Sequence, residues 1–349
     1  MKVVFIGNDK SILTGENGDA RERMRLIAKH LEKLTIIIFT LKRDDLNPLQ
    51  EKNLEIIPTN SSNRWHFAFD ALKILSQHPD HDLISTQDPF IAGLVGVLAK
   101  LLWHKKLNIQ LNNDFFDPPY FRGENLQNHF FFWLGKGLLP FADSLRVMAK
   151  RMDKKGKYFV ATIATDLDRF FQKPHAKIHR QIVTIARLAK QKNLPLLFQI
   201  AKRFPGLKFV IIGEGEERKN LETILPDNVT LAGQKNHDEV RKIVNQSDIF
   251  LLTSDYEGWG ISVAEGLAAG LPIVMTDTGC AGELVIDGKI GGFVAPLGDQ
   301  EKIIQAIKKL YREEKLRKNL VLSGQKNLFE NYSQKKIIDQ FISGLKQTQ

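Results

Sequence analysis

Apolar and polar positions along this chain follow a strand-then-helix alternation that runs through most of its length. Val3–Gly7 is a short apolar run, followed by a polar, glycine-containing loop over Asn8–Asp19. Met24, Ile27, Ala28 and Leu31 then recur at helical spacing, which predicts a helix reaching about Lys33. Leu34–Thr40 (LTIIIFT) is a continuous β-branched run, the pattern of a strand covered on both faces. Further strands are expected near Leu54–Ile57, Leu83–Ser85, Leu107–Leu111, Ser144–Val147 and Tyr158–Ile163. Helices are expected over about 64–77, 89–103 and an aromatic-rich 126–140. This is the βαβ rhythm of an α/β doubly wound parallel sheet.

A second alternating set follows the polar stretch Lys173–His179. Its strands are expected at Gln181–Ala186, Lys208–Ile212, Val229–Leu231, Asp248–Leu252, Pro272–Met275 and near Gly292–Val294. Helices are expected at about 194–203, 216–224, 237–245, 260–269, 299–310 and 314–328. A last amphipathic pattern, about 334–346, aligns Ile337, Ile338, Phe341, Ile342 and Leu345. The two sets read as Rossmann-like domains, 1–165 and 166–330, with no sequence repeat between them, followed by a helical segment, 331–349. Open parallel sheets bind ligands at the carboxyl ends of their strands, so a cleft between two such domains is the expected site.

Composition narrows the classes. An apolar fraction of 43% over 349 residues is that of a globular chain, not a disordered one. The lone Cys280 allows no internal disulfide, which suits a reducing compartment. The start MKVVFIGND turns polar too soon for a signal peptide, and Ile91–Trp103 is too short to span a bilayer and carries Lys100. A cytoplasmic protein, soluble or peripheral at the inner membrane face, is therefore expected.

The formal charge of +10 is the unusual figure. It divides evenly between the halves, with no basic arm and no aromatic interleaving, which argues against a nucleic-acid partner. Two concentrations stand out. Arg146, Lys150, Arg151, Lys154, Lys155 and Lys157 are opposed by Asp153 alone, and beside the aromatic helix they suggest an anionic membrane surface. Arg169–Gly213 contains no acidic residue, and within it fall Arg187 and Lys192, a strand-end arginine and a cation just before the next helix. Both would emerge at the carboxyl edge of the second sheet, where a diphosphate could lie.

The most informative segment is Ser254–Pro272, SDYEGWGISVAEGLAAGLP. Its strand feeds a loop with Gly258 and Gly260 and then a helix opening near Ile261, whose free N–H groups favour an anion. Glu257 precedes that helix and Glu265 lies inside it, so two carboxylates can accept hydrogen bonds from different hydroxyls of one polyhydroxylated ligand. Glu265 sits among Val263, Ala264, Leu267 and Ala268, a poor setting for an idle carboxylate.

Glu257-x7-Glu265, the Gly-Trp-Gly between, AEGLAAGLPIV and ARLAKQKN together resemble the retaining glycosyltransferases of family 4, which share the GT-B fold. Gly213-Glu-Gly215 after KFVII, the Ala232-Gly233 turn and Gly279–Gly288 extend the likeness. In the first half LTGENGDARERMRLIAKHL, NNDFFDPPYF and TDLDRFF, with Asp166 and Phe170, follow the family more loosely. The resemblance implies that Arg187 and Lys192 hold the diphosphate of a nucleotide sugar and stabilise it as it leaves. Glu257 would bind the donor sugar and Glu265 the ribose. Gly213, Gly215, Gly258, Trp259, Gly260 and Ile261 would line the donor site, and Gly15 and Gly18 would approach the diphosphate from the other domain. Asn112, Asn113 and Asp114 fall on the acceptor side, Asn112 standing where the family often carries histidine.

The function so implied is sugar transfer from a UDP- or GDP-linked donor to a glycan or lipid-linked hydroxyl acceptor, with retention and with no metal or other cofactor. A nucleotide-sugar epimerase or hydrolase, or a catalytically silent partner of the same fold, are the alternatives. Asp166-Leu-Asp168 spells a metal-binding Asp-x-Asp, but its place between the domains favours a structural role, and the histidines show no ligand spacing.

Overall fold

Two separate sheets account for the two alternating sets. The computed structural model describes residues 1–15, 18–116, 120–153, 158–174 and 178–348. The chain divides into one unit of Met1–Thr165 with Lys335–Gln349 and a second of Asp166–Gln334.

In the first unit the strands are β1 (Lys2–Gly7), β2 (Lys33–Ile38), β3 (Leu49–Glu51), β4 (Leu54–Pro58), β5 (Leu83–Thr86), β6 (Lys106–Leu111), β7 (Ser144–Val147) and β8 (Tyr158–Val160). They lie in the order β3-β4-β2-β1-β5-β6-β7-β8. Every pair is parallel except β3 with β4. The central strands are buried along their length, Leu34 and Ile36–Ile38 almost completely, as their unbroken apolar runs require. β3, which the sequence pattern did not announce, is a three-residue edge strand turned back on β4 through Lys52, whose φ is +29°.

The helices of this part are α1 (Ser11–Thr14), α2 (Gly18–Ala28), α3 (Phe67–Ser76), α4 (Ile91–Trp103), α5 (Tyr120–Gly123) and α6 (Leu126–Leu138). Asp88 caps α4, its Oδ1 accepting from the N–H groups of Phe90 (2.8 Å) and Ala92 (3.3 Å). On α6 the aromatic run splits by face: Phe132 is buried, whereas Phe130 and Trp133 are 63% and 54% exposed. The basic run around it is not one surface. Arg146 lies in β7 and is buried, Lys150 and Arg151 are exposed, and Lys154, Lys155 and Lys157 lie outside the described residues.

The second unit holds β9 (Gln181–Ile185), β10 (Lys208–Ile212), β11 (Val229–Gly233), β12 (Ile249–Leu252), β13 (Ile273–Thr276) and β14 (Gly292–Ala295), all parallel, in the order β11-β10-β9-β12-β13-β14. Around them pack α7 (Leu194–Lys202), α8 (Arg218–Glu222), α9 (His237–Asn245), α10 (Ile261–Ala268), α11 (Gln300–Arg312) and α12 (Glu314–Asn331). Leu194, Leu197, Phe198 and Ile200 of α7 and Ile303, Ile304 and Ile307 of α11 bury the apolar stripes that their periodicity predicts.

The final helix, α13 (Gln334–Lys346), belongs almost wholly to the first unit. Its Phe341 ring lies 5.9 Å from that of Phe5 and 6.2 Å from that of Phe159. Beyond it the Thr348 hydroxyl is 2.6 Å from that of Ser144 in β7.

Candidate active site

In the second sheet the chain order reverses between β9 and β12, the place where an open α/β sheet leaves a crevice at its carboxyl edge. Arg187 and Lys192 follow β9, and Glu257 follows β12, so this one switch point gathers these three of the residues that the sequence singled out. Lys192 closes a 3₁₀ turn, Lys190–Lys192, ended by Asn193 at φ +44°. Its Nζ lies 2.5 Å from Glu257 Oε1, which also accepts from Ser254 Oγ at 2.7 Å. Both side chains are largely buried, 14% and 9% exposed.

Three further bonds latch the two loops together. Thr253 Oγ1 donates to the Lys192 carbonyl (3.0 Å), Asn193 Nδ2 to Asp255 Oδ1 (2.8 Å), and the Asp255 N–H to the Gln191 carbonyl (2.8 Å). Burial pushes the Asp255 carboxyl above its usual range, and the Asn193 bond pulls it back. A lysine and a carboxylate held this way are oriented before any ligand arrives, which lowers the ordering cost of binding.

Arg187 is different. Its side chain is 63% exposed, with Nη2 3.8 Å from Glu216 Oε1. Its backbone, however, is braced by the glycine turn after β10. A Cβ on Gly213 (φ +141°) would fall 2.1 Å from the Ala186 carbonyl oxygen, and one on Gly215 2.3 Å from that of Leu188. Those glycines are thus explained by the close packing of the Arg187 loop, whatever else approaches them.

Glu257, Gly258, Trp259 and Gly260 are buried and lead into α10 through Gly260 at φ +92°. Ile261 opens the helix and Glu265 lies half-buried along it. The helix start presents N–H groups and the positive end of its dipole close in sequence to Glu257. Gly279, at φ +52°, supports this turn from behind: a Cβ there would meet the Trp259 carbonyl oxygen at 2.5 Å, and the next N–H, of Cys280, donates to that oxygen at 2.8 Å. The Trp259 ring packs 5.0 Å from Tyr332, and Cys280 is fully buried, as an inert packing residue is.

The remaining candidates belong to the first unit. Gly15 ends α1 at φ +71° and Gly18 opens α2, with residues 16–17 between them outside the described residues. Asn112 follows β6 and its Nδ2 donates to the Gln87 carbonyl at 2.7 Å. Asn113 Oδ1 accepts the Asp114 N–H at 3.0 Å. Asp168–Phe170 form one 3₁₀ turn whose Phe170 is buried edge-on to His237, a packing role.

Sequence reasoning passed over Ser254, Asn193 and Asp255, which orient the Lys192–Glu257 pair, and Gly279, which lets the Trp259 turn close. Ser254 and Asp255 stand at the head of the segment already quoted, so proximity to Glu257 was an available signal. Gly279 opens a stretch that follows the family resemblance, but its need, a contact 20 residues away in sequence, shows only in the fold.

Residues 167–327 match the family described as glycosyl transferases group 1. The chain is 28% identical over 166 residues to the lipopolysaccharide core biosynthesis glycosyltransferase LpsE of Rhizobium meliloti, covering 46% of this chain and 48% of that one. It is 29% identical over 175 residues to the amylovoran biosynthesis glycosyltransferase AmsK of Erwinia amylovora, covering 45% and 43%. The chain spans about half the length of the curated relatives it matches, or less. Among solved structures it resembles sucrose-phosphate synthase from Thermosynechococcus elongatus (TM-score 0.81, 16% identity, 99% of each chain). It also resembles Anabaena Alr3699/HepE in complex with UDP and glucose (TM-score 0.77, 17% identity, 99% of this chain and 100% of that one). The chain therefore has the GT-B fold, and its second unit carries the sequence pattern of the group 1 glycosyl transferases.

Proposed function

We propose that this chain is a retaining hexosyltransferase of glycosyltransferase family 4, moving a sugar from a nucleoside-diphosphate donor to a hydroxyl of a glycan or lipid-linked acceptor. The observation that carries the reading is the Lys192–Glu257–Ser254 cluster at the switch point of the second sheet, beside the start of α10. When the bond between the sugar and the β-phosphate breaks, negative charge grows on the departing diphosphate. Lys192, Arg187 and the α10 N–H groups would meet that charge, and such fixed groups favour the transition state over the ground state. No metal is invoked, because these groups can supply the neutralisation. Glu257 and Glu265 are assigned to hydroxyls of the sugar and the ribose. The UDP carried by the HepE structure, and the biosynthetic names of the relatives, favour a UDP-linked donor in the assembly of a lipopolysaccharide or other bacterial glycan.

The test is incubation of the chain with UDP- and GDP-sugars, with and without glycan and lipid-linked acceptors, followed by analysis of the anomeric configuration of the product. Transfer with the donor's configuration supports the proposal. Release of free sugar irrespective of acceptor would make the protein a hydrolase, and inversion would remove it from the retaining class.

An anionic membrane is kept in this proposal as the second partner. Leu126, Phe130 and Trp133 on α6 and Leu101 and Leu102 on α4 are exposed, and Lys136 of α6 lies 5.6 Å from the Trp133 ring. Apolar side chains with adjoining cations are what an interfacial surface needs. No helix among the described residues is long and apolar enough to cross a membrane.

A further inference from the structure

The first sheet has a switch point of its own, between β1 and β5, and a cavity of about 170 Å³ opens there. Asn8 and Asp9 follow β1, Gln87 follows β5 and Asn112 follows β6, and all four line it. Its unusual wall is Arg146. That side chain is 8% exposed, donating from Nε to the Ala161 carbonyl (2.8 Å), from Nη1 to Gln110 Oε1 (2.5 Å) and from Nη2 to the Thr162 carbonyl (2.7 Å). Its Cζ lies 4.6 Å from the centre of the Phe341 ring. Every one of these partners is neutral. A guanidinium has five N–H donors, so two remain beyond these three bonds.

Among the described residues no carboxylate pairs with Arg146. Asp9, the acidic group in the cavity wall, is bonded through Oδ1 to the backbone and hydroxyl of Ser11. The second cation in the wall, Arg23, adds to the positive potential: burial and the Arg23 charge together hold Arg146 down at about 9, still protonated at neutral pH. Thr162 also lines the cavity, is 3% exposed, and its Oγ1 has no hydrogen-bond partner. A buried cation without a counter-ion and a buried hydroxyl without a partner are both costly arrangements. One bound anion would relieve both.

We propose that this cavity seats an anionic group, a phosphate or a carboxylate, carried by the acceptor, with Arg146 as its principal ligand and the Thr162 hydroxyl as a further donor. The volume corresponds to about five or six waters, room for such a group and part of the ring or chain that bears it. The inference rests on the glycosyltransferase reading for the word acceptor, but the anion site itself stands on the geometry of the first unit. It selects phosphorylated or uronic acceptors over neutral ones.

Binding to the full chain is measured for a hexose 6-phosphate, glucuronate, inorganic phosphate and methyl glucoside, with UDP titrated in parallel. The expected result is binding of one or more anions and none of methyl glucoside; the relative affinities of the phosphate and carboxylate arms identify the group. Arg146→Gln should abolish anion binding. Because that change could also unfold the unit, the deciding variant is Thr162→Val, which removes an unpartnered hydroxyl at constant shape. It should weaken anion binding by about three- to tenfold, one hydrogen bond's worth, while thermal stability holds or rises and UDP affinity is unchanged. Equal binding of neutral and anionic ligands, or unaltered anion binding in Thr162→Val, would overturn the inference. UDP binding without anion binding refutes this cavity while sparing the proposed function; anion binding without UDP binding does the reverse.

Discussion

Lys192 and Glu257, 65 positions apart in sequence, meet at 2.5 Å between their ammonium and carboxylate groups. The cation assigned to the diphosphate and the carboxylate assigned to the sugar are therefore one unit, oriented together by Ser254. Replacing Lys192 with Met should lower turnover by about a hundredfold or more, the scale for losing a charge-stabilising donor. It should also lower the melting temperature, because a buried carboxylate loses its counter-ion. Adding Glu257→Gln to Lys192→Met should restore the melting temperature and leave activity lost. Additive losses of stability in the double variant would show that the two residues are not coupled.

Arg187 offers the contrasting case. Its exposed pair with Glu216 adds little to stability. Arg187→Ala should leave the melting temperature within a degree or two and still reduce turnover steeply, with a weaker affinity for UDP by calorimetry. Wild-type turnover in this variant would end its assignment to the leaving group.

Gly279 tests the turn rather than the charges. A methyl group there would press on the Trp259 carbonyl and on Glu257 Cβ, 2.5 and 2.9 Å away, at a φ of +52°. Gly279→Ala should therefore weaken UDP binding by tenfold or more and destabilise the fold, although Gly279 itself has no assigned contact with the donor. Gly298→Ala, at φ +79° with open space around it, is the control for the backbone cost alone.

Asp88 predicts a pH signature. Burial pushes its pKa up to about 6 despite its two backbone bonds at the start of α4. A folded-state pKa above the unfolded value near 3.9 means the folded chain binds the extra proton between those two values. Stability from this group is thus present at low pH, declines as pH rises toward about 6, and stays at its lower level above. Asp88→Asn should gain most over wild type above pH 6, with the gap closing as pH falls toward 4. A pH-independent gap in melting temperature would contradict this assignment.

For the membrane surface, Leu126, Phe130 and Trp133 are changed together to Ser. Cosedimentation with vesicles rich in anionic lipid should fall severalfold in the variant, and wild type should sediment poorly with neutral vesicles. Equal sedimentation of wild type and variant would remove α6 from the proposal.

Much of this was legible from the chain. The long apolar runs gave β1, β2 and the core of the second sheet to within two residues, because strands buried on both faces leave no ambiguity of register. The places of Lys192 and Glu257 beside strand ends were legible too, but that their side chains pair was not. What was hidden depended on contacts across the sequence. The strand expected at Tyr158–Ile163 stops at Val160, since the Ala161 and Thr162 carbonyls accept from Arg146 instead of extending a ladder. Arg146 itself was counted with its basic neighbours, although its place inside the β7 run, between Leu145 and Val147, was the clue to its burial. A short edge strand such as β3 carries too few side chains to announce itself.

α13 has one more consequence. The first unit is assembled from residues at both ends of the chain, Met1–Thr165 and Lys335–Gln349, with the second unit wholly in between. During synthesis the second unit has its complete sequence while the first still lacks the helix that covers Phe5 and Phe159. The part made first is the part finished last. Until α13 emerges from the ribosome, the wall that holds Arg146 against Phe341 does not exist, so its cavity forms only once the whole second unit has been made.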